Sequence, residues 1–162
     1  METKKRFNAS QASGKFLKSQ GYAVQNVEQT IRWPKKNGRR DEHGRPLEWE
    51  MVKKDLWGFA DLVAVKIGEK GTIYIQTTTA DHAQDRIQKI AGIVEARTIL
   101  DGGNRIHVHA WKQKGGNGKP KSRHLTVTGI KFDEDGILET EELYSGAFSE
   151  SRESQEEMDF RL

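Results

Sequence analysis

Polar side chains stand in two segments of this chain where a buried sheet is expected. Asp61 begins the apolar run "DLVAV", and Gln76 with three threonines ends the next apolar run, "IYIQTTT". An unpaired buried carboxylate is costly, so it needs a cation or hydrogen-bond donors. Asp61, the Gln76 amide oxygen and a backbone carbonyl form an oxygen-rich set of the kind that Mg²⁺ accepts. The structural alternative is that Asp61 caps a loop amide and Gln76 satisfies a sheet edge.

Pairing of the two runs decides whether these groups can meet. A four-residue turn at 68–71 would place Asp61 opposite Thr78 and Val63 opposite Gln76. Cross-strand partners share a face, with their Cβ atoms within about 5 Å. The predicted hairpin therefore gathers Asp61, Gln76 and Thr78 on one side, in a register that depends on this turn.

The surrounding elements alternate helix and strand patterns. We expect an α+β (α/β) arrangement around one mixed central sheet flanked by helices. The predicted order is a helix at 8–20, a strand at 22–33, an exposed loop or arm at 34–54, hairpin strands at 59–66 and 72–79, a helix at 81–103, and the strands "RIHVHAW" and "HLTVTGIKF". In the second helix, apolar residues recur at helical spacing: Ile87, Ile90, Ala91, Val94 and Leu100.

Charge is divided unequally along the 162 residues. Residues 1–132 carry a net charge of +12, whereas residues 133–162 carry −9. A basic body with an acidic tail favours a polyanion partner, most often nucleic acid, although solubility charge is the simpler alternative. We expect one domain over 1–144 and an acidic, disordered tail over 145–162, which docks a protein partner, inhibits the basic surface or merely solvates the chain.

Several classes of protein are disfavoured by composition. The chain has no cysteine, so disulfides and thiolate chemistry are excluded. No stretch approaches the roughly 20 apolar residues of a membrane span, and residues 1–11 have no apolar signal region, so we expect a cytoplasmic protein without a membrane partner.

Taken together, "DLWGFADLVAV", "IYIQTTT" and "RIQKI" in this order resemble the PD-(D/E)xK nuclease superfamily over about residues 8–132. The resemblance is greatest to small Holliday-junction-resolvase-like and phage nuclease-like proteins of DNA recombination. It implies a restriction-endonuclease-like αβββαβ core and a Mg²⁺-dependent (or Mn²⁺-dependent) DNA endonuclease, with branched DNA as one expected substrate. A homodimer is left open.

The resemblance also implies roles for particular residues. Asp61 matches the metal-binding aspartate, while Gln76 and Thr78 match the glutamate and lysine of the ExK motif. Gln76 lacks the charge of the glutamate, and Thr78 lacks the ammonium group. The Thr77 carbonyl would complete the metal ligands, with Asp55 as an alternative second carboxylate or a surface acid paired with a neighbouring lysine.

A replacement for the missing lysine is sought on the following helix. His82, Arg86 and Lys89 recur on one helix face, with Lys89 the catalytic candidate and Arg86 a candidate for phosphate contact; a solvated helix face is their alternative explanation. The QxT sequence favours a rival function, a protein that kept the fold and binds nucleic acid, or regulates a DNA-processing complex, without cleaving.

The densest basic stretch lies at 111–124, around a glycine-rich turn. Flexible glycines and long cationic side chains suit contact with DNA phosphates without sequence readout, although a solvated hairpin tip would look the same. The candidate nucleic-acid-binding residues are Lys112, Lys114, Lys119, Lys121 and Arg123. A metal site at His107 and His109 is disfavoured because no carboxylate completes it, and the tryptophans at 33, 49, 57 and 111 are expected to pack rather than to stack on bases.

Overall fold

The computed structural model describes residues 7–117 and 119–149. Its first helix, α1, spans Ala9–Ser19 and begins at Asn8, whose side chain accepts a hydrogen bond from the Gln11 backbone N–H at 3.0 Å. Such a cap satisfies one of the free N–H groups at a helix start. The apolar residues that predicted this helix, Ala12, Phe16 and Leu17, are all buried, so its existence and its inner face were predicted correctly.

A six-stranded mixed sheet forms the centre of the molecule. The strands in chain order are β1 Ala23–Asn26, β2 Gln29–Pro34, β3 Trp49–Lys54, β4 Leu62–Val65, β5 Ile73–Thr79, β6 Arg105–Gly116, β7 Lys119–Phe132 and β8 Leu138–Ala147. The sheet order is β1-β4-β5-β6-β7-β8, in which β5 and β6 are parallel and all other neighbours are antiparallel. The predicted mixed α+β class and mixed central sheet are confirmed.

The second predicted helix is divided into three parts. A 3₁₀ turn at Ala80–His82 leads into α2, Ala83–Ala91, and α3, Val94–Asp101, follows after a break at Gly92 and Ile93. Ile93 has an extended backbone, so the helical phase restarts after it. Ala96 and Ile99 are therefore buried, whereas Val94, which was assigned to the apolar stripe, is exposed.

The helices pack on opposite faces of the sheet, and each face has its own apolar core. One core joins α1 to residues of β4, β5 and β7, including Leu62, Ile75 and Leu125. The other joins α2 and α3 to the buried residues Phe59 and Ala60 and to Val108 on β6. Side chains of one strand alternate between faces, and β5 supplies the first core through Ile75 while its Tyr74 packs against the second.

The second half of the predicted strand at 22–33 and the end of the arm at 34–54 form a separate hairpin. The strand breaks between β1 and β2, where the N–H groups of Val27 and Glu28 donate to the Asp61 carbonyl at 2.9 and 3.3 Å. After the break, β2 pairs only with β3, in a two-stranded sheet outside the central one. The arm was thus expected, but its strand pairing was not.

The predicted hairpin register is wrong by two residues. Val63 pairs with Tyr74 rather than Gln76, and Leu62 pairs with Ile75. The chain leaves the sheet after β4, and Ile67 is fully exposed. The start of β5 is held by the α3–β6 loop, because the Thr72 N–H donates to Asn104 and the Arg105 N–H donates to Thr72. A two-residue shift leaves every side chain on its expected face, so the grouping of Asp61 with Gln76 survives.

The last strand extends past the expected end of the domain. β8 reaches Ala147, three residues into the segment assigned to the acidic tail, and its pairing with β7 completes the sheet edge. Residues 150–162 of that tail lie outside the described residues. No helix in the described part of the chain has the length and apolar character needed to cross a membrane.

One end of the sheet collects several segments of interest. Asp61 precedes β4 at the end where β5 finishes, since Leu62 pairs with Ile75. The parallel pairing of Thr79 with Trp111 brings the outer part of the β6–β7 hairpin to that same end. Because β1 is antiparallel to β4 and Asn26 pairs with Leu62, the β2–β3 hairpin also starts there.

Candidate metal centre

The Asp61 carboxylate lies at the centre of the site, almost wholly buried with 5 % exposure. Its Oδ2 atom accepts three hydrogen bonds: 2.7 Å from the Thr77 N–H, 2.7 Å from the Thr77 hydroxyl and 3.0 Å from Gln76 Nε2. The Thr77 hydroxyl is also 2.9 Å from the Ser10 hydroxyl on α1. The first helix and the ends of two strands thus hold this carboxylate in place.

Gln76 contributes a second buried polar group, with 3 % exposure. Its Nε2 donates to Asp61 and, at 3.1 Å, to the Thr77 carbonyl, so that carbonyl already accepts one hydrogen bond. Its Oε1 is buried without a hydrogen-bond partner in the described part of the chain. An unsatisfied buried acceptor costs free energy, and a cation at this position would satisfy it.

Three acids meet at this end of the sheet. Glu28, Asp55 and Asp61 each offer one carboxylate oxygen, and these atoms lie within 4.8 Å of one another. An ion with oxygen ligands at 2.0–2.6 Å spans about 4–5 Å between opposite ligands. The cluster could therefore bind one metal ion. Asp55 was an expected candidate, whereas Glu28 was missed, and its only signal was an acid inside the predicted strand at 22–33.

A tight loop brings Asp55 close to Asp61. The Leu56 N–H donates to the Ala60 carbonyl at 3.0 Å, and the Ala60 N–H donates back to the Leu56 carbonyl at 2.9 Å. Between them, Trp57 has a φ of 56° and a half-exposed side chain. A bulky residue rarely adopts this left-handed conformation, and such outliers concentrate at functional sites.

Charge in this cluster is not balanced by its protein neighbours. The pKa of Asp61 is raised to about 6, mainly by burial; the Thr77 hydrogen bonds oppose this rise, and the nearby Asp55 and Glu28 contribute to it. The nearest cation is Lys53, whose Nζ is 2.8 Å from a Glu28 oxygen. That ion pair, with smaller contributions from Asp61 and Asp55, raises the pKa of Lys53. Lys53 was not among the predicted site residues.

Among the described residues, the other candidates for the catalytic role make no hydrogen bond or ion pair with the three acids. Thr78 is buried on the β5 face that also carries Gln76. On α2, Arg86 is half-buried and Lys89 is exposed, and neither forms an ion pair with the cluster within the described ranges. The ammonium group nearest to the acids comes instead from the β2–β3 hairpin, which sequence periodicity could not place.

His107 and His109 share the α1 face of β6, as their spacing predicted. Their rings stack with centroids 6.4 Å apart, and the Phe16 and His109 rings are nearly perpendicular, with centroids 6.1 Å apart. No acid completes a metal site with them among the described residues. Burial lowers the pKa of His109 to about 3 and, with help from the Arg105 guanidinium, that of His107 to about 4.

The basic stretch lies in the β6–β7 hairpin. Lys112 and Lys114 are exposed on β6, whereas Arg123 on β7 is half-buried with its guanidinium 3.9 Å from the centre of the Phe7 ring. The side chains of Lys119 and Lys121 lie outside the described residues. Two of the predicted phosphate contacts are therefore available to a ligand, and a third rests against an aromatic ring.

The four tryptophans divide into two groups. Trp111 is buried, and its Nε1 donates to the Ser13 hydroxyl at 2.9 Å. Trp33, Trp49 and Trp57 are 58, 44 and 50 % exposed. All four were expected to pack rather than to stack on bases; Trp111 does pack, whereas these three are about half exposed, because the β2–β3 hairpin and the loop after it lie outside both cores.

The chain matches no family model, no curated protein and no solved structure.

Proposed function

We propose that this protein is a Mg²⁺-dependent DNA endonuclease of the PD-(D/E)xK type, with its site at the Asp61 end of the sheet. The observation that carries the proposal is the buried Asp61 carboxylate, which has two further acids within reach and the unpartnered Gln76 oxygen beside it. Such a set of oxygens has more negative charge and more acceptors than the protein satisfies. A bound divalent cation would neutralise the excess negative charge and would coordinate the unsatisfied oxygen atoms.

The fold supports this proposal through the order and direction of its elements. Helix α1, the antiparallel strands β1, β4 and β5, helices α2 and α3, and the parallel strand β6 follow the αβββαβ order that the sequence resemblance implies. Asp61 immediately precedes the second of these core strands, and Gln76 lies near the end of the third. The β2–β3 hairpin is then an insertion, and β7 and β8 are additions at the far edge.

The residues that would hold the metal are Asp61, Glu28 and Asp55, with the Gln76 oxygen as a neutral ligand. The Gln76 Oε1 atom is available for this, because it has no hydrogen-bond partner among the described residues. A bound Mg²⁺ supplies neutralisation of the charge that develops on the phosphate, and it activates water at neutral pH. Mn²⁺ fits the same ligands, since carboxylate and carbonyl oxygens suit both metals.

The chain's own residues would orient and balance the site. Thr77 holds one Asp61 oxygen with two hydrogen bonds, which leaves Oδ1 free to face a ligand. The Lys53 ammonium group, placed beside Glu28, would take the role of the lysine that Thr78 cannot fill. Lys112 and Lys114, on the hairpin at the same end, would contact the DNA backbone.

One observation favours the alternative, a nucleic-acid-binding protein that does not cleave. Gln76 Nε2 donates a hydrogen bond to Asp61, which a glutamate at this position could not do. That bond partly satisfies the carboxylate without metal. The two functions differ in whether phosphodiester cleavage occurs at all.

A cleavage assay on linear, branched and single-stranded DNA tests the proposal. We expect cleavage with Mg²⁺ or Mn²⁺, none with EDTA, and loss of cleavage to background in the Asp61→Asn variant. Asparagine has the same shape and can still accept the Thr77 hydrogen bonds, so a folded variant is expected, as circular dichroism would check. The matched control is Asp81→Asn, an exposed acid just after β5.

The outcomes separate the two functions. Metal-dependent cleavage that Asp61→Asn abolishes and Asp81→Asn retains supports the nuclease. DNA binding by the wild type with no cleavage under any metal supports the binding protein. Full cleavage by a folded Asp61→Asn variant would refute the assigned site.

A further inference from the structure

The β2–β3 hairpin exposes several large apolar side chains to solvent. Every residue of β3 is exposed, and the hairpin forms its own two-stranded sheet. Its exposed large side chains include Trp33, Trp49 and Met51. Large exposed apolar side chains grouped on one small hairpin indicate a contact surface.

The two faces of the hairpin differ in charge. In the register of Arg32 opposite Met51 and Pro34 opposite Trp49, directly paired residues share a face. One face, here named the Trp49 face, carries no acid and consists of Thr30, Arg32, Pro34, Trp49, Met51 and Lys53. The opposite face carries Trp33 and its partner Glu50.

The Trp49 face is continuous with the acidic cluster. Lys53, at the base of this face, pairs with Glu28 at 2.8 Å. At the outer end, the Arg32 guanidinium lies 4.9 Å from the centre of the Trp49 ring. A ligand bound along the face would thus pass from an aromatic ring flanked by a cation to the Asp61 site.

We propose that the Trp49 face binds an unpaired strand of nucleic acid that leads into the Asp61 site, with a base stacked on Trp49 and phosphates beside Arg32 and Lys53. The unpaired strand deepens the proposed function, because it specifies the structure of the DNA beside the cleaved bond. Its binding does not require cleavage, so it can be measured without metal.

Charge favours nucleic acid over a protein as the occupant. Residues 29–54 contain eight lysines and arginines and four acids. Two of these acids form ion pairs with arginines of the loop between β2 and β3: Glu48 with Arg39 and Asp41 with Arg45. Arg32 has no acid partner among the described residues and rests on an aromatic ring instead.

The exposed ring favours an unpaired strand over a duplex. Bases inside a duplex are already stacked and present only their edges, so a flat side chain gains little from them. Base–aromatic stacking with single strands tolerates any sequence and is among the main sources of affinity in such sites. An arginine beside the ring adds a cation–π contribution and a phosphate contact.

Fluorescence anisotropy in EDTA tests the proposal with a labelled 20-nucleotide oligothymidylate and a duplex of the same length. Trp49→Ala should weaken binding of the single strand by about 5-fold to 150-fold, the range for loss of one stacked base. Binding of the duplex should change less. Trp49→Phe should recover most of the affinity, because phenylalanine also stacks.

The matched control is Trp33→Ala. Trp33 is on the opposite face and is more exposed than Trp49, so an effect of exposed apolar area alone would be at least as large there. We expect less than a 2-fold change for this variant. Thermal unfolding of both variants checks that the hairpin substitutions leave the domain folded.

Each result has a defined meaning. Equal losses for both tryptophan variants, or none for Trp49→Ala, would overturn the proposal, as would a change in oligomeric state with unaltered DNA binding. If Trp49→Ala weakens single-strand binding but no metal supports cleavage, the inference stands and the nuclease fails. If the Trp49→Ala variant still cleaves DNA and its single-strand affinity is unchanged, the nuclease proposal stands and the inference about the Trp49 face fails.

Discussion

The Asp61 group and the histidine pair are neighbouring polar groups whose surroundings differ: Asp61 is hydrogen-bonded, whereas His109 is enclosed without hydrogen-bond partners among the described residues. Thr77, which holds Asp61, pairs in register with His109 on the next strand. Asp61 accepts three hydrogen bonds and has two acids and a lysine close by. Both nitrogens of His109 lack a hydrogen-bond partner in the described part of the chain, and its ring meets Phe16.

Burial pushes both groups towards their neutral forms. It raises the pKa of Asp61 to about 6 and lowers that of His109 to about 3. Only Asp61, however, has N–H and O–H dipoles directed at the charged form and further ligands ready for a cation. A buried polar residue therefore indicates chemistry when its neighbours can stabilise its charge, and indicates packing when they cannot.

The largest expected difference between the two groups is in metal-dependent stability. At a metal concentration 100-fold above the dissociation constant, binding to the folded state alone adds about 2.7 kcal/mol to the free energy of unfolding. For a chain of this size that raises the Tm by about 5–10 °C. We expect Mg²⁺ or Mn²⁺ to produce this shift in the wild type and in His109→Leu, and not in Asp61→Asn. A shift lost in His109→Leu as well would contradict the comparison.

The next effect is on the pH dependence of stability without metal. Each histidine has a folded pKa below its unfolded value, so the folded state binds fewer protons and stability is lost as pH falls from about 6.5 towards 4. Asp61 has a raised folded pKa, so its contribution is present below pH 4 and is lost as pH rises to about 6. Each group changes the free energy of unfolding by at most about 1.4 kcal/mol per pH unit.

Two variants separate these opposing contributions between pH 4 and 6 in EDTA. In His109→Leu the rise of stability with pH should become shallower, because one of the two histidine contributions is gone. In Asp61→Asn the rise should become steeper, because the opposing contribution is gone. Urea unfolding at several pH values measures both. The same slope in all three proteins would mean that neither group titrates differently on folding.

The smallest expected effect concerns Lys53. The Lys53→Met variant removes a cation that competes with metal for Glu28, and its ion pair is exposed, so it contributes less than about 1 kcal/mol. Metal affinity should therefore rise by about 2-fold to 5-fold while cleavage falls, because the ammonium group is lost from the site. Lys54→Met, on the opposite face of the hairpin, is the control. Tighter metal binding in the control as well would place the effect in the overall charge rather than in the Glu28 pair.

The sequence allowed some of this site to be predicted. The grouping of Asp61 with Gln76 depends on side-chain alternation, which a register error of two residues does not change. Glu28 and Lys53 could not be found in the same way. They lie beside Asp61 only because the predicted strand breaks at Val27 and β3 pairs with β2. Non-local pairing of this kind leaves no periodic signal in the sequence.

The helices and the tryptophans also show that local spacing can be predicted from the sequence, whereas features set by distant parts of the chain cannot. The apolar faces of α1 and α2 were predicted from spacing, but the break at Gly92 reset the phase for α3. All four tryptophans were expected to pack, yet Trp33, Trp49 and Trp57 are about half exposed. Which of them lie outside the core depends on the position of the hairpin rather than on residue type.

The loop that begins after β4 offers a practical advantage. Ile67 is completely exposed and lies at the opposite end of the sheet from Asp61. Since the chain contains no cysteine, an Ile67→Cys variant would have a single thiol for a fluorophore or a surface linker. Molecules immobilised through it would all present the Asp61 end to solution, which suits single-molecule measurements on tethered protein.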